Sequence, residues 1–536
     1  MNEFAFIVSV NFIILNFFTP VWSRGIPLTS DGIENYVCYF TGLPGRGYFF
    51  AVDLGTPTQQ INLLADTGSS DLAVASRRMD NVDHWFQASQ SSSLSCSEYI
   101  QYVQYQQGSW TGRICTENMH IALLNHEDAA KNNESDQKHV AFRVQLALID
   151  QSQNFFLPHK RPSWFGIAGL AFTSLSRDII PKGQHRTNTH GMTGFATGWE
   201  RMWLHFRRSS RNHLGMLESL FKQAKLANVF TLVLCGMTQS PTSIPLQQMS
   251  GKMIFATKTA NRKTPEPLTQ FYTPILRPWY YEVVLTDVLL EDQSVVSHCK
   301  QLNFDKTIVD SGTTNIHLPL HIYARLVKIM IQFVMRQDGS RQWMELNDTN
   351  DFWLGNSTLC LDAQGATVGG LNGMPYVLFP FIELQMVSSV YADNFVISVT
   401  LSPQQYLRYL GRSTPGERWP GRDCFAFGIQ PSRLGTILGS TFLEGFEVEF
   451  DRENMQIGLR NSSCNRYTSL TGVSGVNGLK RWNLSQSPMS RCAFHRPDLS
   501  RIDEEITRQS AITALCTSIL IILTIPIMCL LPKPSS

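Results

Sequence analysis

The sequence predicts an all-β chain of two related lobes, with a single apolar helix near its C-terminus. Three observations predict it. A short motif occurs twice: Asp66-Thr67-Gly68-Ser69-Ser70 follows the apolar run Ile61-Asn62-Leu63-Leu64-Ala65, and Asp310-Ser311-Gly312-Thr313-Thr314 follows Thr307-Ile308-Val309. Each copy has a later partner of two hydrophobic residues and a glycine, Ile167-Ala168-Gly169 and Ile437-Leu438-Gly439. The rest of the chain is largely short apolar segments broken by Gly, Pro, Asn and Ser, the pattern of strands and turns.

Phe50-Ala51-Val52-Asp53-Leu54-Gly55, Phe230-Thr231-Leu232-Val233-Leu234 and Phe446-Glu447-Val448-Glu449-Phe450 are representative strands. Tyr102 to Gly112 alternates strand-favouring residues and places Gln107-Gly108 at a turn, which reads as a hairpin. Helices are few. Leu214 to Leu226 puts Leu217, Leu220, Phe221 and Ala224 on one face, and His321 to Phe333 does the same through Tyr323, Leu326 and Met330. The repeat divides the chain into lobes at 46–245 and 246–495, joined by a strand layer beneath the cleft. Within the first lobe, about 181–213 is a basic, Gly/Ser/Thr-rich insertion with Trp199 and Trp203, read as a solvated loop.

Each motif offers one Asp on a tight turn, and two related lobes bring two carboxylates together at a pseudo-two-fold axis. Like charges a few ångströms apart oppose joint ionisation, so the pair keeps one proton and titrates as a unit. One site then holds a base that activates a water and an acid that protonates a carbonyl oxygen. Glycine allows the sharp turn beside each Asp. Ser69 and Thr313 are placed to donate hydrogen bonds to the outer carboxylate oxygens. A lone Asp-Thr-Gly is an ordinary turn, whereas two copies with the same flanks are a specific signal.

Composition excludes other classes. The chain has 45 Lys and Arg against 43 Asp and Glu, so nothing in its charge points to nucleic acid. It carries no His-Glu-x-x-His, no paired Cys-x-x-Cys and no phosphate-cradling Gly loop. A water-activating dyad needs neither metal nor cofactor. Phe4 to Phe18 has the length of a secretory apolar core, and Val21-Trp22-Ser23 offers a cleavage site, giving a signal peptide over 1–23. Glu3 is atypical there, and an uncleaved N-terminal anchor is the alternative. Residues 24–45 form a short N-terminal segment. At the other end a charged stem over 496–510 has no clear core pattern and reads as a linker. It precedes 511–531, about 21 residues without charge, long enough to cross a bilayer, and a short tail at 532–536. A GPI signal is the alternative to a true span. Sequons at Asn133, Asn347, Asn356, Asn461 and Asn483 fit a secretory glycoprotein.

At the two Asp motifs the chain resembles the pepsin-like aspartic proteases, and other segments narrow the resemblance to their beta-secretase branch. Leu64 to Val74 is similar to the first active-site segment of that branch, and Tyr102 to Gly112 to its flap hairpin. Trp279-Tyr280-Tyr281-Glu282-Val283, Phe352-Trp353-Leu354-Gly355 and Leu401 to Arg408 are similar to its second lobe. The resemblance runs from about Gly45 to Cys492 and on into the apolar segment. It implies a bilobal pepsin-like fold followed by one transmembrane helix. Asp66 and Asp310 would be the catalytic pair. A flap carrying Tyr105, bonded to Trp110 when open, would cover a bound peptide. The substrates implied are peptides or membrane proteins, cut on the lumenal or extracellular side. Oligomeric state is left open.

Cysteine usage suits an oxidising compartment. Of eleven Cys, Cys516 and Cys529 fall in the apolar span. The resemblance pairs Cys235 with Cys464, Cys299 with Cys492 and Cys360 with Cys424. Cys96 and Cys115 flank the hairpin at similar distances from its tip, which suggests a cross-strand bridge and leaves Cys38 alone. Four departures stand out. The segment before the first lobe is too short for a usual pro-segment. The 181–213 insertion lacks a counterpart in the close relatives, and Arg208-Ser209-Ser210-Arg211 within it carries a minimal basic cleavage pattern. His317, seven residues after Asp310, replaces an Arg that contacts substrate side chains. The tail lacks an acidic dileucine signal. Two other functions fit the same fold: a catalytically silent peptide-binding protein, and a digestive-type protease shed by cleavage in the stem.

Overall fold

The structure is a computed structural model that describes residues 35–493 apart from 44, 46, 106, 126–136, 157–163, 177–178, 182–214, 236–249, 258–269, 338–348, 363–374, 391–393, 415–419, 434, 463 and 465–473. The signal peptide, the insertion from 182 onward, the stem, the 511–531 segment, the tail and the sequons at Asn133 and Asn347 lie outside the described residues. No described helix is long and apolar enough to cross a membrane.

Strands dominate, and the described ones form four sheets. Their burial follows their sequence. In Gly47–Leu54, Phe50, Val52 and Leu54 are buried while Ala51 between them is exposed, as a strand with one face on a core requires. Short interior strands differ: Leu72–Ala75 and Gly166–Gly169 are buried at every position, which suits a strand with parallel neighbours covered on both faces.

The two Asp motifs sit in matching four-strand arrangements. In the first, Gln59–Asp66 runs parallel to Gly166–Gly169, with Asp66 opposite Gly169. Gly166–Gly169 also pairs antiparallel with Leu72–Ala75, which runs parallel to Gln137–Gln153. In the second, Thr307–Val309 runs parallel to Thr436–Leu438. That strand pairs antiparallel with Ile316–Pro319, which runs parallel to Ile429–Ser432. Each Asp loop thus leaves one strand and returns on another, with the later hydrophobic-hydrophobic-Gly strand threaded between them. The glycines that end those strands permit this. A Cβ on Gly169 would lie 2.4 Å from Asp71 N, and one on Gly439 would lie 2.4 Å from the Asn315 carbonyl oxygen.

An antiparallel layer takes strands from both ends of the chain. Its order is Phe271–Pro274, Gln456–Asn461, Phe446–Asp451, Leu226–Leu234, Gly251–Thr257 and Asn35–Leu43. Asn35–Leu43, in the segment that the sequence placed before the first lobe, is held there by antiparallel pairing to both Gly251–Thr257 and Gly47–Leu54. Phe230 stacks on Phe450 at 4.8 Å, and Tyr281 meets the same ring edge-on at 4.5 Å. The longest described helices, Met216–Ala224 and Leu320–Met335, match the two read from the sequence to within two residues at each end.

Four disulfides join Cys96 to Cys115, Cys235 to Cys464, Cys299 to Cys492 and Cys360 to Cys424. Cys96 and Cys115 lie opposite each other across the hairpin, and Cys38 is buried with a free thiol. Asn356, Asn461 and Asn483 are exposed. One buried polar group joins distant parts of the chain: the Tyr48 hydroxyl donates to Glu444. Burial pushes the Glu444 carboxyl up to about 7, against the opposing pull of Tyr48 and Arg408.

Candidate active site

The two Asp loops meet in one cleft of about 540 Å³, which Asp66, Asp310, Tyr105, Phe155 and His317 help to line. Each loop holds its carboxylate in the same way. The Gly68 N–H donates to Asp66 Oδ1 at 2.8 Å, and the Ser69 hydroxyl donates to Oδ2 at 2.5 Å. The Gly312 N–H donates to Asp310 Oδ1 at 2.9 Å, and the Thr313 hydroxyl donates to Oδ2 at 2.6 Å. Each glycine also lies under the opposite carboxylate. A Cβ on Gly68 would stand 2.4 Å from the Asp310 carboxyl carbon, and one on Gly312 would stand 2.3 Å from Asp66 Oδ1. Only a residue without a side chain lets the two carboxylates approach this closely.

The middle residues of the motifs bind the loops together. The Thr67 hydroxyl donates to the Val309 carbonyl at 3.0 Å and accepts from the Ser311 N–H at 2.9 Å. The Ser311 hydroxyl donates to the Ala65 carbonyl at 2.7 Å and accepts from the Thr67 N–H at 3.0 Å. Both side chains are fully buried, so these bonds form where water does not compete.

Burial, and then the negative charge of Asp310, holds the Asp66 carboxyl well above the usual range, while Ser69 and the Gly68 N–H pull it down. The pair therefore keeps a proton into a pH range where an exposed carboxylate has lost it. One oxygen can then donate while another accepts, the requirement for combined acid and base action on water and a carbonyl.

The hairpin of Ser95–Gln104 and Ser109–Asn125 reaches this cleft. Its turn is closed by the Tyr105 N–H donating to the Gly108 carbonyl at 2.9 Å. Tyr105 stacks on Phe155 at 5.5 Å, and its hydroxyl accepts from Trp110 Nε1–H at 3.3 Å. Burial and the charges of Asp66 and Asp71 push the Tyr105 hydroxyl pKa upward, so it stays a neutral donor. His317 lies on Ile316–Pro319, opposite Ile437 and Gln430. Burial lowers its pKa, while Asp310 pulls it up.

The sequence profile of the family described as eukaryotic aspartyl protease matches residues 47–179 and 246–462, which include both Asp loops. The chain belongs to this family. A beta-secretase of Strongylocentrotus purpuratus is 28% identical to it over 467 residues, covering 85% of this chain and 73% of that protein. The chain is a beta-secretase-like aspartic protease, and its activity is that of an aspartic-type endopeptidase.

In this protease the structure brings Asp66, Asp310, Ser69, Thr313, Tyr105 and His317 to one cleft, with Trp110 buried on the second strand of the hairpin. None of the eight disulfide-bonded cysteines lines this cleft. Sequence reasoning missed the role of Thr67 and Ser311. The signal was present, since both motifs carry a small hydroxyl residue directly after the Asp. It also missed Asp71, whose buried carboxylate accepts from Gln101 Nε2 at 3.0 Å and from the Ser176 hydroxyl, tying the first Asp loop to the hairpin.

Proposed function

We propose that this aspartic endopeptidase hydrolyses peptide bonds through Asp66 and Asp310. It is tethered by 511–531 with its catalytic part on the lumenal or extracellular side, and it acts on the exposed parts of other membrane proteins. The observation that carries the catalytic assignment is the pair of carboxylates held identically by a backbone N–H and a hydroxyl, each against the other's glycine. The pair shares one proton: one carboxyl supplies it to the scissile carbonyl oxygen, and the other takes a proton from the attacking water. The hairpin bearing Tyr105 closes over the bound peptide and excludes bulk water from the dyad.

The apolar length of 511–531, the four disulfides and the likeness to a beta-secretase support the tethered, lumenal reading. His317 faces the peptide-binding cleft, neutral except in acid, and adds a pH-dependent preference for acidic side chains.

The test is cleavage of a peptide library by the full chain between about pH 3.5 and 7, beside Asp66→Asn and Asp310→Asn. Acid-dependent cleavage that falls about 10²–10⁴-fold or more in both variants is expected. Undiminished cleavage by either variant would falsify the dyad assignment. In the same assay His317→Arg extends cleavage of acidic peptides to higher pH; an unchanged profile removes His317 from specificity.

A further inference from the structure

A second groove, also of about 540 Å³, is lined by Lys300, Phe304, Pro319, Leu320, His321 and Arg433. It shares no residue with the carboxylate cleft. Its apolar surface is open: Phe304 is 55% and Leu320 60% exposed. Its rim is cationic. Lys300 and Arg433 are exposed, and neither has an acidic partner among the described residues. The groove also meets the start of the helix Leu320–Met335, whose first turn holds no acidic residue, so the helix dipole adds to the positive potential. Such a groove suits an acidic segment carrying spaced apolar side chains.

A segment of that kind starts beside it. The last described residue is Ala493, which follows Cys492. Cys492 is bonded to Cys299, the neighbour of Lys300, and its carbonyl accepts from Asn303 Nδ2 at 3.0 Å, one residue before Phe304. The described chain therefore ends beside the stretch that forms one wall of the groove. Residues 498–506 read Asp-Leu-Ser-Arg-Ile-Asp-Glu-Glu-Ile, with four carboxylates against one Arg. Leu499, Ile502 and Ile506 recur at intervals of three and four, the spacing of a single helical face. Five extended residues reach about 17 Å, enough to carry the chain from Ala493 onto the groove.

We propose that residues 498–506 dock in this groove, with Leu499, Ile502 and Ile506 against Phe304 and Leu320 and Asp503, Glu504 and Glu505 toward Lys300 and Arg433. The stem is then part of the fold's surface rather than a free linker, and it fixes how the catalytic part stands on whatever follows.

Zero-length carbodiimide crosslinking of the full chain tests this, using a mixture of light- and heavy-isotope copies read by mass spectrometry. The expected product is an amide between Lys300 and Asp503, Glu504 or Glu505 within one copy. Its yield should drop about ten-fold in a Leu499→Ser/Ile502→Ser/Ile506→Ser variant, because apolar burial holds the segment in place. Three results overturn the proposal. An unchanged yield in that variant means tethering alone brings the groups together. Mixed light–heavy products assign the groove to a second copy. Loss of the Lys300 product, while other lysines crosslink normally, leaves the groove to a separate acidic partner.

Discussion

Thr67 and Ser311, 244 residues apart in sequence, hold each other's backbone N–H through their hydroxyls. The spacing of the two carboxylates depends on this reciprocal clasp, because each Asp is the immediate neighbour of one of its members. Ser311→Ala leaves the buried Thr67 N–H without its acceptor. An orphaned buried donor costs about 1–3 kcal/mol, so the denaturant midpoint falls accordingly. A small displacement of the Asp loops also lowers kcat by roughly 10–100-fold. Wild-type stability and turnover in this variant would refute the clasp.

Ser69 pulls the Asp66 pKa down, against burial and Asp310. Removing its hydroxyl in Ser69→Ala raises that pKa further. Activity requires the shared proton and is lost as pH rises through the pKa of the group that carries it. The alkaline limb of the kcat/KM profile therefore moves to higher pH in the variant. A limb that stays put or moves to lower pH contradicts the assignment.

Glu444 gives a separate pH signature, in stability rather than rate. Its folded pKa of about 7 lies above the unfolded value of 4.5. The folded state therefore binds a proton that the unfolded state has released, and stability falls as pH rises from 4.5 through 7. The loss is on the order of 3 kcal/mol. Glu444→Gln keeps an oxygen for the Tyr48 hydroxyl and removes the charge. Its melting temperature should exceed that of the parent at about pH 7.5 and match it more closely near pH 4.5. Equal differences at both pH values would exclude Glu444 as the source.

The hairpin makes a graded prediction. Tyr105→Phe keeps the stack on Phe155 and loses the hydroxyl's hydrogen bonds with Trp110 and Ser69, so its effect on kcat/KM is within about ten-fold. Tyr105→Ala removes the ring that closes the cleft and lowers kcat/KM by about 10²-fold or more. Equal losses in the two variants would place the function in the hydroxyl instead of the ring.

The hairpin disulfide, which joins cysteines 19 positions apart in sequence, contributes about 3 kcal/mol by the loop-closure estimate. A Cys96→Ser/Cys115→Ser chain should melt lower by several degrees while keeping its cleavage pattern. An unchanged melting temperature means that the bridge contributes nothing to stability.

Much of the site was legible because it is local. Asp66 and Ser69 are three residues apart, as are Asp310 and Thr313, so a single motif specifies each carboxylate together with its hydroxyl donor. The hairpin was legible from its alternation and the Gln107-Gly108 turn, and the two long helices from their periodicity. Partner choice across the chain was not legible. Nothing near Thr67 marks Ser311 as its partner, and Tyr48 finds Glu444 at a separation of 396. The reason for Gly169 and Gly439 was hidden for the same cause: each is dictated by a backbone that another segment brings against it. Asn35–Leu43 was set apart from the first lobe as a short N-terminal segment because one of its two pairing strands, Gly251–Thr257, begins some two hundred residues later.

The antiparallel layer also sets a clock. Leu226–Leu234 finds one neighbour, Gly251–Thr257, almost at once during synthesis, but its other neighbour is Phe446–Asp451, with Phe230 opposite Phe450. About 220 residues separate those two rings, so at ribosomal speed the nascent chain waits roughly 10–45 s between them. During that wait a nearly all-apolar strand edge stands open to any other unpaired strand. Yield in a heterologous host should therefore depend on elongation rate and chaperone supply more than on the final stability of the enzyme.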